Sequence, residues 1–304
     1  MVCNLKEYEK VIAVQKMQDY INDNLDKNIT LYELAKCSNY SPWYCAKIFK
    51  EYIGKSPFEY IRLIRLSKAA LELRDNDRRV VDVALDFLFD SHEGFTRAFK
   101  KQFGITPKKY KKETPPINLF TSYPIKEQYI YENHINIDNK LTSNNFFTQV
   151  INFPRRKCII KRGKQAQNYF EYFEETGEEV WGILSSIKEA LNEPIGMWLP
   201  PKFIRENTSK YIQGVEVPLN YKGVVPTGFE IITLPACKMM VFQGEPFEND
   251  NFQSAIYLLS REIDKYNPTL YGYEWDLEKA PSFQMEPQGY RGYIEARPIK
   301  EIVT

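Results

Sequence analysis

One phrase occurs twice in the sequence, and this repeat constrains the fold more than any other feature. Residues 49–62, FKEYIGKSPFEYIR, match residues 99–112, FKKQFGITPKKYKK, at a constant offset of 50 positions. The matched positions are of unlike types: Phe49 with Phe99, Lys50 with Lys100, Gly54 with Gly104, Pro57 with Pro107, and Tyr60 with Tyr110. A fixed offset across unrelated residue types indicates a repeated structural unit.

The first copy of the unit begins with helix signals. Apolar residues recur at helical spacing before it, at Val11, Val14, Met17, Ile21 and Leu25. Thr30 and Glu33 form a capping box that predicts the start of a short helix, LYELAKCS. The turn NY follows. Ser41 then caps a longer helix that has Pro42 at its first position and ends at Gly54.

A short helix, a tight turn and a longer capped helix are typical of a helix-turn-helix motif. The second copy has the same parts: VVDVALDFL, the turn FD, and a helix from about His92 to Phe103 between Ser91 and Gly104. Residues 57–76 predict one long helix between the copies. It could hold them about one DNA turn apart, ~34 Å.

The faces of the longer helices predict what they contact. The inward side carries Cys45, Ile48, Phe49 and Tyr52 in the first copy, and Phe95, Phe99 and Phe103 in the second. The outward side carries Trp43, Tyr44, Ala46, Lys47 and Lys50 in the first, and His92, Glu93, Thr96, Arg97 and Lys100 in the second. Recognition helices read base edges and phosphates with such residues. The alternative is an amphipathic helix with a solvated basic face, which two matching copies disfavour.

The charge distribution agrees with an anionic partner for the first part of the chain. Residues 1–113 carry 21 basic and 16 acidic residues, a net charge of +5, whereas the rest carries 20 and 24, a net charge of −4. This asymmetry alone is a weak signal, because many helical domains reach +5 without binding an anion.

Residues 8–112 resemble the DNA-binding domain of the AraC/XylS family of transcription regulators. The stretch FDSHEGFTRAFKKQFGITPKKY is similar to the signature region of that family. The resemblance implies an all-α domain of seven helices, with two helix-turn-helix motifs whose exposed residues touch DNA. These are Trp43, Ala46, Lys47, His92, Glu93, Thr96 and Arg97. The sequence departs from the family at Ala46, too short to hydrogen-bond a base, and at Leu88, where the family usually has glycine.

The second part of the chain contains another repeat. We interpret residues 1–113 as the DNA-binding domain, residues 114–145 as a linker and residues 146–304 as a second domain. Within it FPRRKCIIKRG resembles LPACKMMVFQG, with Pro154 and Pro235 offset by 81 positions. Each stretch predicts a strand followed by a helix (178–192 and 251–266) and short strands. The expected fold is an α+β domain of two strand-helix-strand-strand pseudo-repeats, with one antiparallel sheet and both helices on a face.

This second part resembles the GyrI-like effector-binding domain. The stretches VEVPLNYKGVVPTGFEIITLPACKMMVFQGEP and LYGYEWDLEKAPSFQMEPQGYRGYIEARPIK carry the likeness. It implies a pocket between the pseudo-repeats, lined by aromatic residues with an acidic group for lipophilic cations. The candidates are Trp181, Trp198, Tyr211, Glu216, Tyr273, Trp275, Phe283 and Glu295. Glu216 and Glu295 stand in equivalent final strands and could pair with a cation over aromatic rings. The alternative is that most of these aromatic residues are core.

Enzyme motifs are missing from the sequence. It has no G-x-x-x-x-G-K, H-E-x-x-H or G-x-S-x-G pattern, and only two histidines. We therefore predict a regulator without cofactor or metal. One alternative is a GyrI-like hydrolase fused to a DNA-binding domain, with Glu216 or Glu295 as general base. Another is a constitutive DNA-binding protein with a degenerate sensor. Turnover of a ligand would separate the hydrolase from the sensor.

The remaining features place the protein in the cytoplasm. No signal peptide or run of about 20 apolar residues is present, and the five scattered cysteines are typical of reduced thiols. The expected partners are promoter DNA in double-stranded form, a small-molecule effector and RNA polymerase, with no membrane. The resemblance favours an activator.

Overall fold

The computed structural model describes residues 5–133, 145–248 and 251–302. Contacts divide the chain into two compact units, Met1–Asn136 and Ile137–Thr304. Within the described residues, no helix combines the length and the apolar character needed to cross a membrane.

The described part of the first unit is helical. Its helices are α1 (Leu5–Asp23), α2 (Leu31–Ser38), α3 (Pro42–Ile53), α4 (Pro57–Asp75), α5 (Val80–Asp86), α6 (His92–Phe103), α7 (Pro107–Glu113) and α8 (Ile125–Glu132). Helices α2 and α3 form the first helix-turn-helix unit, and α5 and α6 form the second. The predicted all-α domain with two helix-turn-helix motifs is therefore confirmed.

The predicted caps define the ends of both longer helices. The Ser41 hydroxyl accepts a hydrogen bond from the backbone N–H of Tyr44, and the Ser91 hydroxyl accepts one from Gly94. Gly54 and Gly104 end the helices with φ values of 74° and 72°, a region that favours glycine because it has no Cβ. The two units are thus built by the same local chemistry.

Helix α4 belongs to two hydrophobic cores. Its first half contributes Ile61 and Ile64 to a core with α1, α2 and α3. Its second half contributes Leu66 and Leu73 to a core with α5, α6 and α7. At 1.5 Å per residue, this helix of 19 residues is about 28 Å long. It is the spine that both helix-turn-helix units share.

The predicted linker begins too early. Residues 114–132 pack onto the helical unit, because their apolar residues find partners there. Ile117 and Leu119 are buried in the second core, and Ile125 at the start of α8 is buried in the first. Pro115 and Pro116 do end α7 as predicted. Residues 134–144 of the predicted linker lie outside the described residues.

The second unit combines strands and helices. In chain order they are β1 (Phe146–Phe153), β2 (Arg156–Arg162), α9 (Tyr169–Thr176), α10 (Glu179–Ser185), β3 (Ile195–Trp198), β4 (Tyr211–Val217), β5 (Glu230–Leu234), β6 (Cys237–Gly244), α11 (Phe252–Lys265), β7 (Tyr273–Trp275), β8 (Ser282–Met285) and β9 (Ile294–Glu301). This confirms a domain rich in antiparallel sheet and helices.

All the strands form one antiparallel sheet in the order β1-β6-β9-β8-β3-β4-β2-β5, with β7 pairing β9. Cross-strand register places Tyr211 of β4 and Phe242 of β6 on the same face. Tyr172 of α9 packs on Tyr211, and α11 packs on Phe242. Helices α9 and α11 thus cover one face at two places.

Two predictions for this unit are wrong in detail. The helix expected over residues 178–192 ends at Ser185. The backbone N–H of Leu191 instead donates to the carbonyl of Glu216 in β4, 2.8 Å away, which requires a non-helical chain there. The sequence also did not predict strands β1 and β5, which pair with β6 and with β2 at the two ends of the sheet.

The turn of the second helix-turn-helix unit contains an unusual residue. Leu88 has φ 58°, a left-handed conformation that an L side chain adopts at a cost. Its N–H donates to the Leu85 carbonyl and the Phe89 N–H donates to that of Ala84, which is a Schellman motif. Glycine usually occupies this position. In the first unit the left-handed residue is Asn39, which tolerates it better.

We expect Leu88→Gly to raise the free energy of unfolding of the helical unit by about 0.5–1 kcal/mol, because it removes the left-handed strain. Leu88→Ala keeps the Cβ and should give no gain. Urea unfolding followed by far-UV circular dichroism measures both. A gain of equal size in the alanine variant would contradict the explanation by backbone strain.

Two equivalent tyrosines have different surroundings. The Tyr60 hydroxyl accepts a hydrogen bond from Gln18 Nε2 at 3.1 Å and also bonds the Ser122 hydroxyl. The Tyr110 hydroxyl is buried and has no partner among the described residues. Burial raises the pKa of Tyr110 to about 12, so this hydroxyl keeps its proton. An unsatisfied buried hydroxyl costs free energy, whereas a bonded one stabilises.

Tyr60→Phe should therefore lower the free energy of unfolding by about 1–2 kcal/mol, and Tyr110→Phe should leave it unchanged or raise it slightly. Both variants remove the same atom from the same position of the repeat, so each is the control for the other. Thermal unfolding of the full chain, with the helical transition followed at 222 nm, measures the difference. Equal losses in both would refute the assignment.

Candidate nucleic-acid interface

Helix α3 presents a polar and aromatic surface. Its inner side buries Cys45, Ile48 and Phe49. On the outer side Trp43 is 74% exposed, Lys47 and Lys50 are exposed, and Ala46 is half-buried. The Lys47 ammonium lies 6.0 Å from the centre of the Trp43 ring. The residues that the sequence predicts for DNA contact therefore share the solvent side of the helix.

Helix α6 repeats this arrangement in the second unit. Phe95 and Phe99 are fully buried on its inner side. The side chains predicted for DNA contact face outward: His92, Glu93, Arg97 and Lys100 are exposed and Thr96 is half-buried. The cap at Ser91 fixes where this helix begins and hence which residues form its first turn. The first turn is the part of a recognition helix that meets base edges.

The cations of the two outer faces differ from other basic residues of the unit. Arg78 pairs with Glu72 and Asp86, Arg79 pairs with Asp82, and Lys111 pairs with Asp77. In the described part of the chain, no carboxylate pairs with any cation of the outer faces: Lys47, Lys50, Arg97 and Lys100. These four positive charges are available to phosphates and base edges without first breaking an ion pair.

The sequence did not single out Tyr40. Its ring packs against Tyr44 with centroids 5.0 Å apart, at the turn that leads into α3. This contact braces the start of the first recognition helix. The signal in the sequence is the i, i+4 spacing of the two rings across the turn.

The predicted ligand residues of the second unit do not all meet on one side of the sheet. Trp198, Tyr211 and Glu295 share the face that the helices cover, and the Trp198 and Tyr211 rings are 5.4 Å apart. Glu216 and Phe283 point to the opposite face, because their register positions alternate with these. A single pocket within the unit cannot be lined by all of them from one side.

Glu216 is already bound by an arginine. Arg156 Nε donates to Glu216 Oε1 at 2.5 Å, and both side chains are at most 5% exposed. The Arg156 guanidinium also reaches the carbonyls of Pro154 and Pro235 and covers the Phe153 ring at 4.7 Å. A buried pair with this many bonds is a structural interaction, and its loss would leave an uncompensated charge.

Glu295 is paired with an arginine that also binds a second carboxylate. Arg297 Nε donates to its Oε1 at 3.0 Å, while the same guanidinium donates to the exposed Asp264 at 2.7 Å. The Ser260 hydroxyl donates to the other oxygen at 3.4 Å. Burial raises the pKa of Glu295, and Arg297 opposes this effect. Arg297 could thus remain paired with Asp264 if another cation bound Glu295.

The other predicted aromatic residues are packed in cores. Tyr273 and Trp275 join a core with Phe242 and α11. Phe283 packs on Phe153 with ring centres 5.8 Å apart. Trp181 is buried on α10.

A hydrogen-bonded chain that the sequence did not indicate crosses the middle of the sheet. Gln284 Nε2 donates to the Tyr211 hydroxyl at 2.9 Å, and the Tyr293 hydroxyl donates to Gln284 Oε1 at 2.8 Å. Gly196 faces Gln284 across the strand pair, and a Cβ there would lie 1.9 Å from the Tyr211 oxygen. The glycine therefore makes room for this chain. A glycine inside a strand was the only signal in the sequence.

Comparison with known proteins matches the helical unit. A family model for a helix-turn-helix domain matches residues 34–113. The transcriptional regulator Rob of Salmonella typhimurium is 39% identical over 108 residues, which cover 33% of this chain and 37% of that protein. The right origin-binding protein of Escherichia coli is 42% identical over 108 residues, with the same coverage. The chain thus matches little more than a third of the length of these relatives.

A shorter relative is matched almost completely. The regulatory protein SoxS of Salmonella typhimurium is 35% identical over 98 residues, which cover 32% of this chain and 92% of that protein. Among solved structures, a probable AraC family transcriptional regulator from Rhodopseudomonas palustris has a TM-score of 0.32 at 26% identity and covers 33% of this chain and 95% of that one. Through its helix-turn-helix unit, the chain belongs to the AraC family of transcription regulators.

Proposed function

We propose that this protein is a ligand-responsive regulator whose first unit binds a specific promoter sequence and whose second unit binds a small molecule. The observation that carries the DNA-binding part is the pair of capped helices, each exposing unpaired cations in a helix-turn-helix unit. Two such helices packed against α4 would engage two segments of major groove.

The side chains divide by role. Arg97 and Lys47 occupy the same position in the two copies, and their reach suits the N7 and O6 acceptors of guanine. Lys50 and Lys100, one turn further on, suit phosphates. Trp43, His92, Glu93 and Thr96 border the same faces, and the Ala46 methyl suits the methyl group of thymine.

The sheet order supports the pseudo-repeat in the second unit. Exchanging β1 with β5, β2 with β6, β3 with β8, and β4 with β9 turns the order β1-β6-β9-β8-β3-β4-β2-β5 into its own reverse. This relation is expected of two like halves around a two-fold axis. The axis would pass between Gly196 and Gln284, which face each other in the central strand pair.

Strand register indicates that the two carboxylates do not occupy corresponding positions in the two pseudo-repeats. Lys157 faces Val217 in the first half, and its counterpart Lys238 faces Ile299 in the second. Val217 of β4 therefore corresponds to Ile299 of β9. The same offset along these two strands makes Gln213 correspond to Glu295, and Tyr211 to Tyr293. Glu216 and Glu295 stand in equivalent strands but at different levels, which explains why their side chains point to opposite faces.

Glu295 is the better proposed anchor for an effector. It lies on the face that carries Trp198 and the Tyr211–Gln284–Tyr293 chain. A lipophilic cation could take the place of Arg297 on this carboxylate, because Arg297 also holds Asp264. We assign no reaction to Glu216, since Arg156 occupies its carboxylate. Ligand binding would then change the position of the DNA-binding first unit, or its contact with RNA polymerase, and so raise transcription.

Arg97→Ala should weaken binding to the preferred duplex by about 1–3 kcal/mol and relax sequence preference, because a base contact is lost. Lys50→Ala should weaken binding to all duplexes and reduce the slope of log K against log salt by about 1. Fluorescence anisotropy over a salt series measures both. The matched control is Lys16→Ala, which removes an exposed charge from α1. Unchanged affinity and preference in the Arg97 variant would refute its role.

A cation-selective rise in melting temperature is expected when the full chain is screened against lipophilic cations, neutral drugs and organic anions, because a ligand stabilises the state it binds. The shift should vanish in Glu295→Gln and persist, relative to its own baseline, in Glu216→Gln. Loss of the shift in the Glu216 variant alone would mean that Glu216, and not Glu295, is the anchor. Shifts with anions only would contradict the proposed ligand class.

A further inference from the structure

Residues 114–133, which we call the strap, lie against both helix-turn-helix units. Thr114 ends α7 with φ 41° and turns the chain, and Pro115 and Pro116 keep the next stretch from continuing the helix. The strap then runs without regular structure to α8. It is the last described stretch of the first unit before the second unit begins.

The strap connects the two hydrophobic cores. Ile117 and Leu119 are 7% and 3% exposed and belong to the core of the second helix-turn-helix unit. Ile125 is 8% exposed and belongs to the core of the first, where Phe120 and Tyr129 pack beside it. Among the described helices, α4 also contributes buried side chains to both cores.

Gln18 of α1 holds the strap by its side-chain amide. This residue is 2% exposed. Its Oε1 accepts from the Ile125 N–H at 3.0 Å, and its Nε2 donates to the Tyr123 carbonyl at 3.0 Å and to the Tyr60 hydroxyl at 3.1 Å. Nearby, Gln15 Oε1 accepts from the Lys126 N–H at 3.2 Å. A buried amide that satisfies backbone groups of a remote segment fixes that segment in one place.

The spine helix α4 holds the strap from the other side. The Ser67 hydroxyl, 5% exposed, accepts from the Phe120 N–H at 2.7 Å. Tyr60, also on α4, bonds Ser122 as well as Gln18. Ser67 directly follows Leu66, the first α4 residue of the second core, and lies three residues after Ile64 of the first core. The strap is thus anchored at the junction of the two units.

We propose that the strap sets the spacing and orientation of the two recognition helices, with Gln18 and Ser67 as positioning residues. The inference rests on the proposed DNA-binding function. Two helix-turn-helix units joined only through α4 could bend relative to one another. The strap is a second connection that packs in both cores, and it restricts this bending. When the distance and angle between the two recognition helices are fixed, both can bind their half-sites at once. A duplex with a different spacing between the half-sites is then bound more weakly.

The test uses a duplex selected by the full chain from a randomised library, together with versions that carry one or two extra base pairs between the half-sites. Each inserted pair rotates one half-site by roughly 35°. The wild type should lose at least about tenfold in affinity per insertion. Gln18→Leu and the milder Ser67→Ala should lose less than about threefold, while binding to an isolated half-site stays unchanged. Tyr110→Phe is the control and should behave as wild type, because it keeps the apolar ring in the second core and removes only a hydroxyl that has no partner among the described residues.

A second measurement does not depend on DNA. Spin labels on non-natural residues at the exposed positions Lys50 and Lys101 report the distance between the two units. The distribution should be narrow in the wild type and broader in both strap variants, with far-UV circular dichroism confirming that they are folded. An unchanged width, or an unchanged spacing penalty, would overturn the role of the strap. A wild type with a narrow distribution but no sequence preference would instead overturn the proposed DNA-binding function.

Discussion

The first unit depends on helix α4, whose side chains complete two separate hydrophobic cores. Ile61 and Ile64 pack with one helix-turn-helix unit, and Leu66 and Leu73 pack with the other. Burial of apolar side chains is the main favourable term in folding, so α4 contributes to the stability of both helix-turn-helix units. The position of each recognition helix follows from that packing.

Electrostatics separates the two units. The outer faces of α3 and α6 leave Lys47, Lys50, Arg97 and Lys100 free of carboxylate partners within the described structure, so these faces suit a polyanion. In the second unit, Glu216 and Glu295 each have an arginine beside them, and among the described residues only the arginine at Glu295 has a second acidic partner. A cation can therefore compete at Glu295 at a lower cost than at the fully buried Glu216 pair.

Much of the helical unit could be predicted, because its boundaries depend on local chemistry. Thr30, Ser41 and Ser91 cap helices through hydrogen bonds within three residues, and the glycines at 54 and 104 end them by their own φ values. The strap could not be predicted in this way. Its partners lie far away in sequence, as with Gln18 and Ile125, which are 107 residues apart. The helix expected over 178–192 was too long for the same reason, since a backbone bond from Leu191 to β4 overrides its helical pattern.

The repeat, the two helix-turn-helix units, their exposed basic residues and the presence of an α+β domain after them could all be predicted from the residues alone. These features follow from periodicity and short-range capping, which any stretch of chain carries within itself. Contacts between distant segments fix the rest: where residues 114–132 pack, which face of the sheet each carboxylate occupies, and the hydrogen bonds by which Gln284 joins Tyr211 to Tyr293. A side chain on a strand changes face with a shift of one residue in register, and register is set by pairing with distant strands.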